Sequence, residues 1–289
     1  MKLRLGLPKG SLQEATFRLF SRAGYRISVE PRSYYPSIDD PEIEGVLMRA
    51  QEIPRYVADG ALDAGISGKD WVLESQARVI TVCDMIYSKG TASPARWVVA
   101  VEASGPIRKL ADLEGKRIAT ELVQVTKNFL AKAGVKAEVE YSWGATEVKV
   151  PKFADAIVEL SETGASLQAN NLRPLETVLE TNTQLIANPA SWKKEAKKKK
   201  LEQLALLLQG ALLAEEKVGL KMNVAKENLK AVLALLPALR QPTVSSLAEG
   251  KWVAVETVLD EKVARDLIFR LREAGAEGII EYPLNKIIP

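Results

Sequence analysis

Short apolar runs alternate with longer amphipathic segments through the first two-thirds of the chain. Leu3–Leu7 has the composition of a buried strand, and Leu12–Ala23 repeats its apolar residues at helical spacing. Ile27–Pro31 returns to the strand pattern, and a second cycle of the same kind begins near Ala95. This βαβ alternation predicts largely parallel sheets covered by helices.

The same alternation predicts two lobes. The further predicted strands are Val46–Arg49, Ala61–Ile66, Trp97–Val101, Arg117–Thr120, Val135–Tyr141, Asp155–Leu160 and Gln184–Asn188. The further predicted helices are Ile53–Asp59, Leu110–Leu113 and Val123–Ala133. The strand near residue 184 should return the chain to its first lobe, so lobe I would comprise residues 1–94 and 185–216, and lobe II residues 95–184. Two lobes joined by paired crossovers leave a cleft, which is the usual place for a small ligand.

From Ser191 the composition changes to KKEAKKKK, followed by a leucine-rich helix that reaches about Glu216. A lysine run suggests nucleic-acid binding, but no aromatic residue stands between these lysines to stack on bases. A solvated helix start with a packed apolar stripe is favoured instead. The residues of this stripe are Leu201, Leu204, Leu208 and Leu212.

Residues 217–289 form a separate pattern with the order βαββαβ, which is the ferredoxin-like split unit. The predicted strands are Val218–Val224, Thr243–Ser246, Lys251–Val258 and Ile279–Tyr282, and the predicted helices are Ala225–Leu236 and Glu261–Ala274. This third predicted domain has no obvious reactive residues. A regulatory or assembly role therefore suits it better than catalysis.

Composition excludes several classes of function. Of the 289 residues 47% are hydrophobic, and the formal net charge of +3 gives no global field that would favour nucleic acid. Cys83 is the single cysteine, which excludes an internal disulfide and a multi-cysteine metal site. Histidine is absent, so triads with a histidine base and imidazole–metal sites are excluded. No signal peptide or membrane-spanning run is predicted, and a cytoplasmic protein is expected.

The stretch DAIVELSETGASL, which begins at Asp155, combines a strand that contains acids with a turn of small residues. Asp155 and Glu159 differ by four positions and would share one face of the strand. Thr163 and Ser166 offer hydroxyl donors, and Gly164 lets the backbone approach an anion. The pattern is typical of a phosphate-binding turn beside two carboxylates. These carboxylates could accept hydrogen bonds from sugar hydroxyls or bind Mg²⁺ through water. A helix cap by either hydroxyl, with both acids at an exposed strand edge, explains it equally well.

Several segments resemble the ATP phosphoribosyltransferase family of histidine biosynthesis, in its long form. ADAIVELSETGASLQANNL resembles the phosphoribosyl-pyrophosphate loop, LGLPKGSL the first-strand turn, GALDAGISGKDWVLE the nucleotide-cleft segment, and GKRIAT the first strand of the second lobe. The βαββαβ tail resembles the regulatory domain, so the match covers essentially the whole chain. The implied α/β fold has two catalytic lobes like those of type II periplasmic binding proteins, followed by a ferredoxin-like, ACT-like domain.

The resemblance implies a reaction. ATP and 5-phosphoribosyl 1-pyrophosphate would give N1-(5-phosphoribosyl)-ATP and pyrophosphate, with Mg²⁺ as the cofactor, in the first step of histidine biosynthesis. Histidine is implied as a feedback inhibitor and a homo-oligomer (dimer and hexamer) as the assembly, without nucleic-acid or membrane partners. A chain without histidine can do this chemistry, since adenine N1 carries no proton to remove. A two-lobed small-molecule binding protein without catalysis is the alternative.

The resemblance also implies roles for individual residues. The cations expected near the substrates are Lys9, Arg32 and Arg49. The phosphoribosyl-pyrophosphate site is expected at Asp155, Glu159, Thr163, Gly164, Ala165 and Ser166. The ATP site is expected at Asp63, Gly65, Gly68 and Glu147, and the histidine site at Asn223, Leu239, Thr243 and Gly278. Surface charges and turn glycines are the competing interpretation, and no metal ligand is assigned.

The chain departs from the family pattern at several places, and three of these departures leave a substrate or effector affinity open. Ser11 stands where an arginine usually follows the glycine of the first turn. Glu121 begins a segment that replaces the usual Tyr-Pro, and Asn223 replaces an acid found in some relatives. Because an acid would pair with the histidine ammonium group, Asn223 is expected to change the affinity for the effector.

Overall fold

The computed structural model describes residues 2–85, 95–237, 241–248 and 250–288. The chain forms two compact units. Unit 1 comprises Met1–Ser21 and Tyr25–Ala205, and unit 2 comprises Arg22–Gly24 and Leu206–Pro289. No helix of the described ranges is long and apolar enough to cross a membrane.

Unit 1 contains twelve strands in two larger sheets and one short hairpin among its described residues. The strands are β1 (Leu3–Lys9), β2 (Ile27–Ser28), β3 (Ser37–Ile38), β4 (Ile43–Arg49), β5 (Ala64–Gly68), β6 (Ile80–Met85), β7 (Ala95–Glu102), β8 (Arg117–Thr120), β9 (Glu138–Tyr141), β10 (Ala156–Ser161), β11 (Leu172–Thr181) and β12 (Thr183–Ala187). The helices that belong to unit 1 wholly or, for α1 and α7, in part are α1 (Gln13–Ala23), α2 (Ile53–Ala58), α3 (Lys69–Glu74), α4 (Val123–Lys132), α5 (Ala165–Ala169), α6 (Pro189–Trp192) and α7 (Glu195–Leu213). Two 3₁₀ turns lie at Leu110–Leu113 and Thr146–Lys149.

The sheet of lobe I has the order β4-β1-β5-β12-β6. Strand β1 pairs in parallel with β4 and β5, whereas β12 runs antiparallel to β5 and β6. Both central strands are buried, as expected for a sheet that is covered on both faces. Ile53 and Val57 of α2 pack against the sheet and are buried completely.

The sheet of lobe II has the order β11-β7-β10-β8-β9. Strands β8, β9 and β10 run parallel, and β7 is antiparallel to β10 and β11. The chain enters this sheet after β6 and leaves it from β11 to β12, so two crossovers join the lobes. The predicted two-lobed α/β fold is confirmed.

Strand β11 was not predicted, and its geometry explains why. Its pairing with β7 has register shifts between Pro174 and Glu176 and between Thr177 and Leu179. Each shift inserts a residue into the alternation of faces, which removes the period of two on which strand prediction depends. The predicted strand Ile27–Pro31 is also wrong beyond Ser28, since only two residues pair there.

Unit 2 contains an antiparallel sheet with the order β14-β15-β13-β16. Its elements are β13 (Lys217–Ala225), α8 (Leu229–Leu235), β14 (Thr243–Ser246), β15 (Trp252–Asp260), α9 (Glu261–Glu273) and β16 (Ala276–Pro283). One core joins the inner faces of the strands to the two helices. The predicted βαββαβ order is confirmed, and it forms the sheet order expected for a ferredoxin-like unit.

The lysine run at the start of α7 is only partly solvated. Lys197 is buried, and its Nζ lies 2.6 Å from Oδ2 of Asp63. Lys200 lies 2.6 Å from Asp40 and 2.7 Å from Glu42. The prediction of a fully solvated helix start is therefore wrong for these two lysines. The leucine stripe is confirmed at Leu201, Leu204 and Leu208, which are buried completely, whereas Leu212 is half-buried.

Candidate active site

The carboxyl ends of β1 and β4 bring two predicted cations together. Lys9 and Arg49 are direct register partners at the ends of these parallel strands. The ammonium group of Lys9 lies 3.9 Å from the centre of the Tyr34 ring. Gly10 has a φ of 102°, and a Cβ there would lie 3.1 Å from Nη1 of Arg49. The glycine thus lets the guanidinium group lie close to the turn.

Arg32 lies in the loop between β2 and β3, two residues before Tyr34. It is exposed and has a φ of 66°, the left-handed region that non-glycine residues rarely adopt. The Leu47 N–H donates to the Tyr34 carbonyl over 2.7 Å, which ties this loop to β4. The loop therefore holds Tyr34 over Lys9 and keeps Arg32 in the same region.

The predicted phosphate turn follows β10 directly. Gly164 has a φ of 80° and begins α5, and no heavy atom lies within 4 Å of the position its Cβ would take. The Thr163 hydroxyl accepts a hydrogen bond from the Ala165 N–H over 3.4 Å. The Ser166 hydroxyl donates to Oε1 of Glu147 over 2.5 Å. The structure therefore joins the turn to the predicted ATP-site residue Glu147, and leaves the backbone at Gly164 open.

Glu159 lies near the carboxyl end of β10, four residues before Thr163, where the phosphate turn begins. Burial raises the pKa of Glu159, and the negative charges of Glu147 and Glu121 raise it further, against hydrogen bonds from the Leu160 N–H and the Thr146 hydroxyl. Three carboxylates thus interact at this edge of the lobe II sheet. Cations or hydroxyl donors supplied by a ligand would stabilise such a cluster of carboxylates.

Asp155 lies at the opposite end of the same strand. Its carboxylate accepts a hydrogen bond from the Arg117 N–H over 2.9 Å and lies 3.7 Å from Nζ of Lys116. Asp155 and Glu159 do share a strand face, but four residues of strand separate them by roughly 13 Å. The expectation that both acids serve one ribose is not supported by this placement, and Glu159 alone lies beside the turn.

Asp63 also lies away from the carboxyl edge, immediately before β5. Burial alone raises the pKa of Asp63, but hydrogen bonds from the Arg4 N–H, Lys197 and Ser191 outweigh it and hold the pKa well below its usual range. Both carboxylate oxygens of Asp63 are bound by other residues of this chain. Asp63 therefore anchors α7 and β1 rather than facing the cleft, which corrects its predicted role in binding ATP.

The two glycines predicted to approach the nucleotide are explained by packing. A Cβ at Gly65 would lie 2.3 Å from Cγ2 of Ile53, because α2 packs directly on β5 there. A Cβ at Gly68 would lie 2.0 Å from Oδ1 of Asp70, because that carboxylate folds back over the glycine. Both positions need glycine because a side chain there would clash with neighbouring side chains of this protein. The prediction gave a different reason, which was close approach to the nucleotide.

Gln51 and Glu121 join the facing edges of the two lobes, and sequence reasoning gave Gln51 no role. Gln51 follows Arg49 by two residues in lobe I, and its side-chain amide lies close enough to the Glu121 carboxylate of lobe II to lower the pKa of that group. Burial raises the pKa of Glu121, the nearby Gly144 N–H and Gln51 side chain oppose this shift, and the charge of Asp70 adds to it. The position of Gln51, two residues after the carboxyl end of β4, could have indicated its role, because open α/β sheets bind ligands at those ends.

Two family models match this chain, one after the other along the sequence. The family model described as ATP phosphoribosyltransferase matches residues 49–210, and a second model, of the C-terminal domain of the same family, matches residues 214–286. The chain belongs to the ATP phosphoribosyltransferase family. It is a transferase of the first step of histidine biosynthesis, and a binding protein without catalysis is not favoured.

Relatives of this phosphoribosyltransferase extend over the full chain. The ATP phosphoribosyltransferase of Chlorobaculum parvum is 59% identical over 286 residues, which is 99% of this chain and 97% of the relative. That of Pelotomaculum thermopropionicum is 60% identical over 289 residues and covers all of both chains. A solved structure, the ATP phosphoribosyl transferase (HisG:HisZ) complex from Thermotoga maritima, superposes with a TM-score of 0.61 at 27% identity, over 72% of this chain and 98% of that one.

The predicted effector residues of this phosphoribosyltransferase lie in unit 2. Asn223 and Thr243 lie on one face of the sheet, since each pairs with a β15 residue of that face, Ala254 and Glu256 respectively. A Cβ at Gly278 would lie 3.6 Å from Nδ2 of Asn223. The structure thus brings these three exposed positions to the same face. Leu239 lies outside the described residues.

Proposed function

We propose that the cleft between the two lobes condenses ATP with 5-phosphoribosyl 1-pyrophosphate to N1-(5-phosphoribosyl)-ATP and pyrophosphate. The observation that supports it most is the proximity of the Gln51 side chain in lobe I to the Glu121 carboxylate in lobe II, since it brings polar groups from the carboxyl edges of both lobes together. Gln51 is two residues from Arg49, and Glu121 is close enough to Glu159 to raise its pKa. Cations from one lobe and the phosphate turn from the other can therefore act on one substrate.

In this proposal the turn at 163–166 holds the 5′-phosphate. Gly164 exposes its backbone in open space, and the hydroxyls of Thr163 and Ser166 lie on either side of it. Ser166 is bound to Glu147 without a ligand and would turn its hydrogen towards the phosphate. Glu159, rather than Asp155, accepts hydrogen bonds from the ribose hydroxyls, because it is the acid that precedes the turn.

The leaving pyrophosphate would be stabilised by Lys9, Arg49 and Arg32. Glycosyl transfer through an oxocarbenium-like transition state builds negative charge on the departing group, and fixed cations stabilise that charge. The Tyr34 ring positions the Lys9 ammonium group, and Gly10 leaves space for Arg49. No general base is needed at adenine N1, in agreement with the absence of histidine.

Mg²⁺ would arrive with the substrate phosphates. The described residues contain no group of three or more His, Cys, Asp or Glu side chains that could hold a metal by themselves. Mg²⁺ commonly keeps several waters and binds one or two carboxylates together with substrate phosphates. Glu147 and Glu159 beside the turn fit that mode. When bound, the ion would neutralise charge on the pyrophosphate.

Unit 2 would bind histidine on the sheet face that contains Asn223, Thr243 and Gly278, and would regulate the enzyme. The separate hydrophobic core of this unit supports an independent function. A homo-oligomer of dimers and hexamers in the cytoplasm completes the proposal.

A direct assay tests the reaction. The full chain is mixed with ATP, phosphoribosyl pyrophosphate and Mg²⁺, and pyrophosphate release and the ultraviolet-absorbing adduct are followed. Both products are expected in equal amounts, and each should require both substrates. Failure to form either product with a folded protein would reject the proposed reaction, and adduct formation with one substrate omitted would reject the proposed substrate pair.

A further inference from the structure

Helix α3 belongs to lobe I by its chain position, yet its side chains bind lobe II at both ends. It follows β5 directly, and its first residue, Lys69, donates its N–H to the Asn182 carbonyl over 2.9 Å. Asn182 lies between β11 and β12, where the chain returns from lobe II. The helix therefore lies beside the crossover by which the chain returns to lobe I.

At its beginning, Asp70 holds the two crossover strands. Oδ2 of Asp70 accepts a hydrogen bond from Nε1 of Trp97 on β7 over 2.7 Å. The Asp70 N–H donates to Oγ1 of Thr181 on β11 over 3.1 Å. The rings of Trp71 and Trp97 also meet edge to face, with centroids 6.0 Å apart. Asp70 and Thr181 are buried, so these bonds form away from water.

At its end, Glu74 caps a helix of lobe II. Its Oε1 accepts from the Gln124 N–H and its Oε2 from the Val125 N–H, each over 2.9 Å. These N–H groups belong to the first turn of α4, which has no cap from its own N-terminal side chain. The first N–H groups of a helix have no partner within the helix, so a carboxylate there is a charge-assisted acceptor. Helix α4 begins two residues after Glu121, in the region proposed for the cleft.

We propose that α3 is a clamp between the lobes, and that Asp70 and Glu74 are positioning residues for the phosphoribosyl transfer. Substrates proposed to touch both lobes bind fully only when the two carboxyl edges face each other. A clamp that favours this arrangement in the free enzyme raises the binding-competent fraction, and apparent affinity rises with that fraction. The kinetic part of this inference rests on the proposed function, and the conformational part does not.

Replacing Glu74 with Ala tests the clamp, since alanine suits a helix and Glu74 is only half-buried. Amide hydrogen exchange at Gln124 and Val125 should accelerate about tenfold, the usual worth of a hydrogen bond to a charged group. KM for both substrates should rise by a similar factor while kcat changes little, because saturating substrates close the cleft. Glu74→Gln keeps one acceptor oxygen and should give intermediate values.

Glu114→Ala is the matched control. Oε2 of Glu114 accepts from the Lys136 N–H over 2.8 Å, a bond of the same kind that lies wholly within lobe II. This variant should accelerate exchange at Lys136 and leave both KM values unchanged. If Glu74→Ala leaves exchange at α4 unchanged, or changes KM no more than the control does, the clamp is rejected. A wild-type protein that forms no adduct would reject the proposed reaction instead, and the exchange comparison would still decide the clamp.

Discussion

Nζ of Lys197 lies 2.6 Å from Oδ2 of Asp63, and both side chains are buried. The pair joins the lysine run of α7 to the sheet of lobe I at the end of β1 and β5 that is opposite to Lys9. Ser191 and Arg4 complete the bonding of the carboxylate. An acid that the nucleotide-cleft resemblance placed at the ATP site is thus bound on all sides by its own chain.

Asp63→Asn should lower the free energy of unfolding by about 3–5 kcal/mol, because it leaves the buried Lys197 ammonium group without its counter-charge. Urea denaturation measures this loss, and adding Lys197→Met should recover most of it. Since the pKa of Asp63 is lowered on folding, its contribution is present above the unfolded value of about 3.9 and is lost as the pH falls below it. KM for ATP should not change in the folded variant, and a rise would return Asp63 to the nucleotide site.

Glu159→Gln should make the protein more stable at neutral pH and less active. The pKa of Glu159 is raised on folding, so folding favours its protonated form. Its stabilising effect is present below the unfolded pKa of about 4.3 and is lost as the pH rises through the folded pKa. Thermal denaturation at neutral pH should show a higher midpoint for the variant. KM for phosphoribosyl pyrophosphate should rise about tenfold, as for a lost hydrogen bond to a charged group. Unchanged kinetics would remove Glu159 from the ribose site.

Arg49→Ala should lower kcat by roughly a hundredfold, if the guanidinium group stabilises the leaving pyrophosphate. Steady-state kinetics with Arg18→Ala as the matched control checks this. Arg18 is an exposed cation of α1 that pairs only loosely with Glu14 at 3.9 Å, so its loss removes the same net charge elsewhere. Equal rates in the two variants would show that Arg49 acts through net charge alone, and not at the reaction site.

Asn223→Asp should strengthen inhibition by histidine about tenfold, because a carboxylate would pair with the ammonium group of the effector. Inhibition curves of the full chain measure the change. Asn285→Asp, at another exposed asparagine of unit 2, adds the same charge away from the proposed sheet face. An equal effect of both substitutions, or none at position 223, would place the effector elsewhere.

Much of the fold could be predicted because local chemistry specifies it. The second-lobe strand Arg117–Thr120 and the edge strand Thr243–Ser246 have the predicted bounds, since turn residues flank each apolar or β-branched run. Strand β11 escaped prediction because its register shifts depend on pairing with β7, which no local window contains. Helix α3 escaped because it begins directly after β5 without a side-chain cap and no glycine follows its end, whereas the equally short α2 has a proline in its first turn and Gly60 just after it.

By itself, the sequence determined the βα alternation, the βαββαβ tail and the turn at Gly164, because backbone preference and apolar spacing act over neighbouring residues. The absence of histidine likewise limited the chemistry. Only the tertiary structure decided which acids serve the site. The side chains of Asp155 and Glu159 lie on the same face of one strand, but Asp155 lies at the amino end of that strand and Glu159 near its carboxyl end. Asp63 and Lys197 are 134 positions apart and meet only because α7 returns to lobe I. Such pairings depend on where distant segments pack, which the spacing of residues along a chain does not encode.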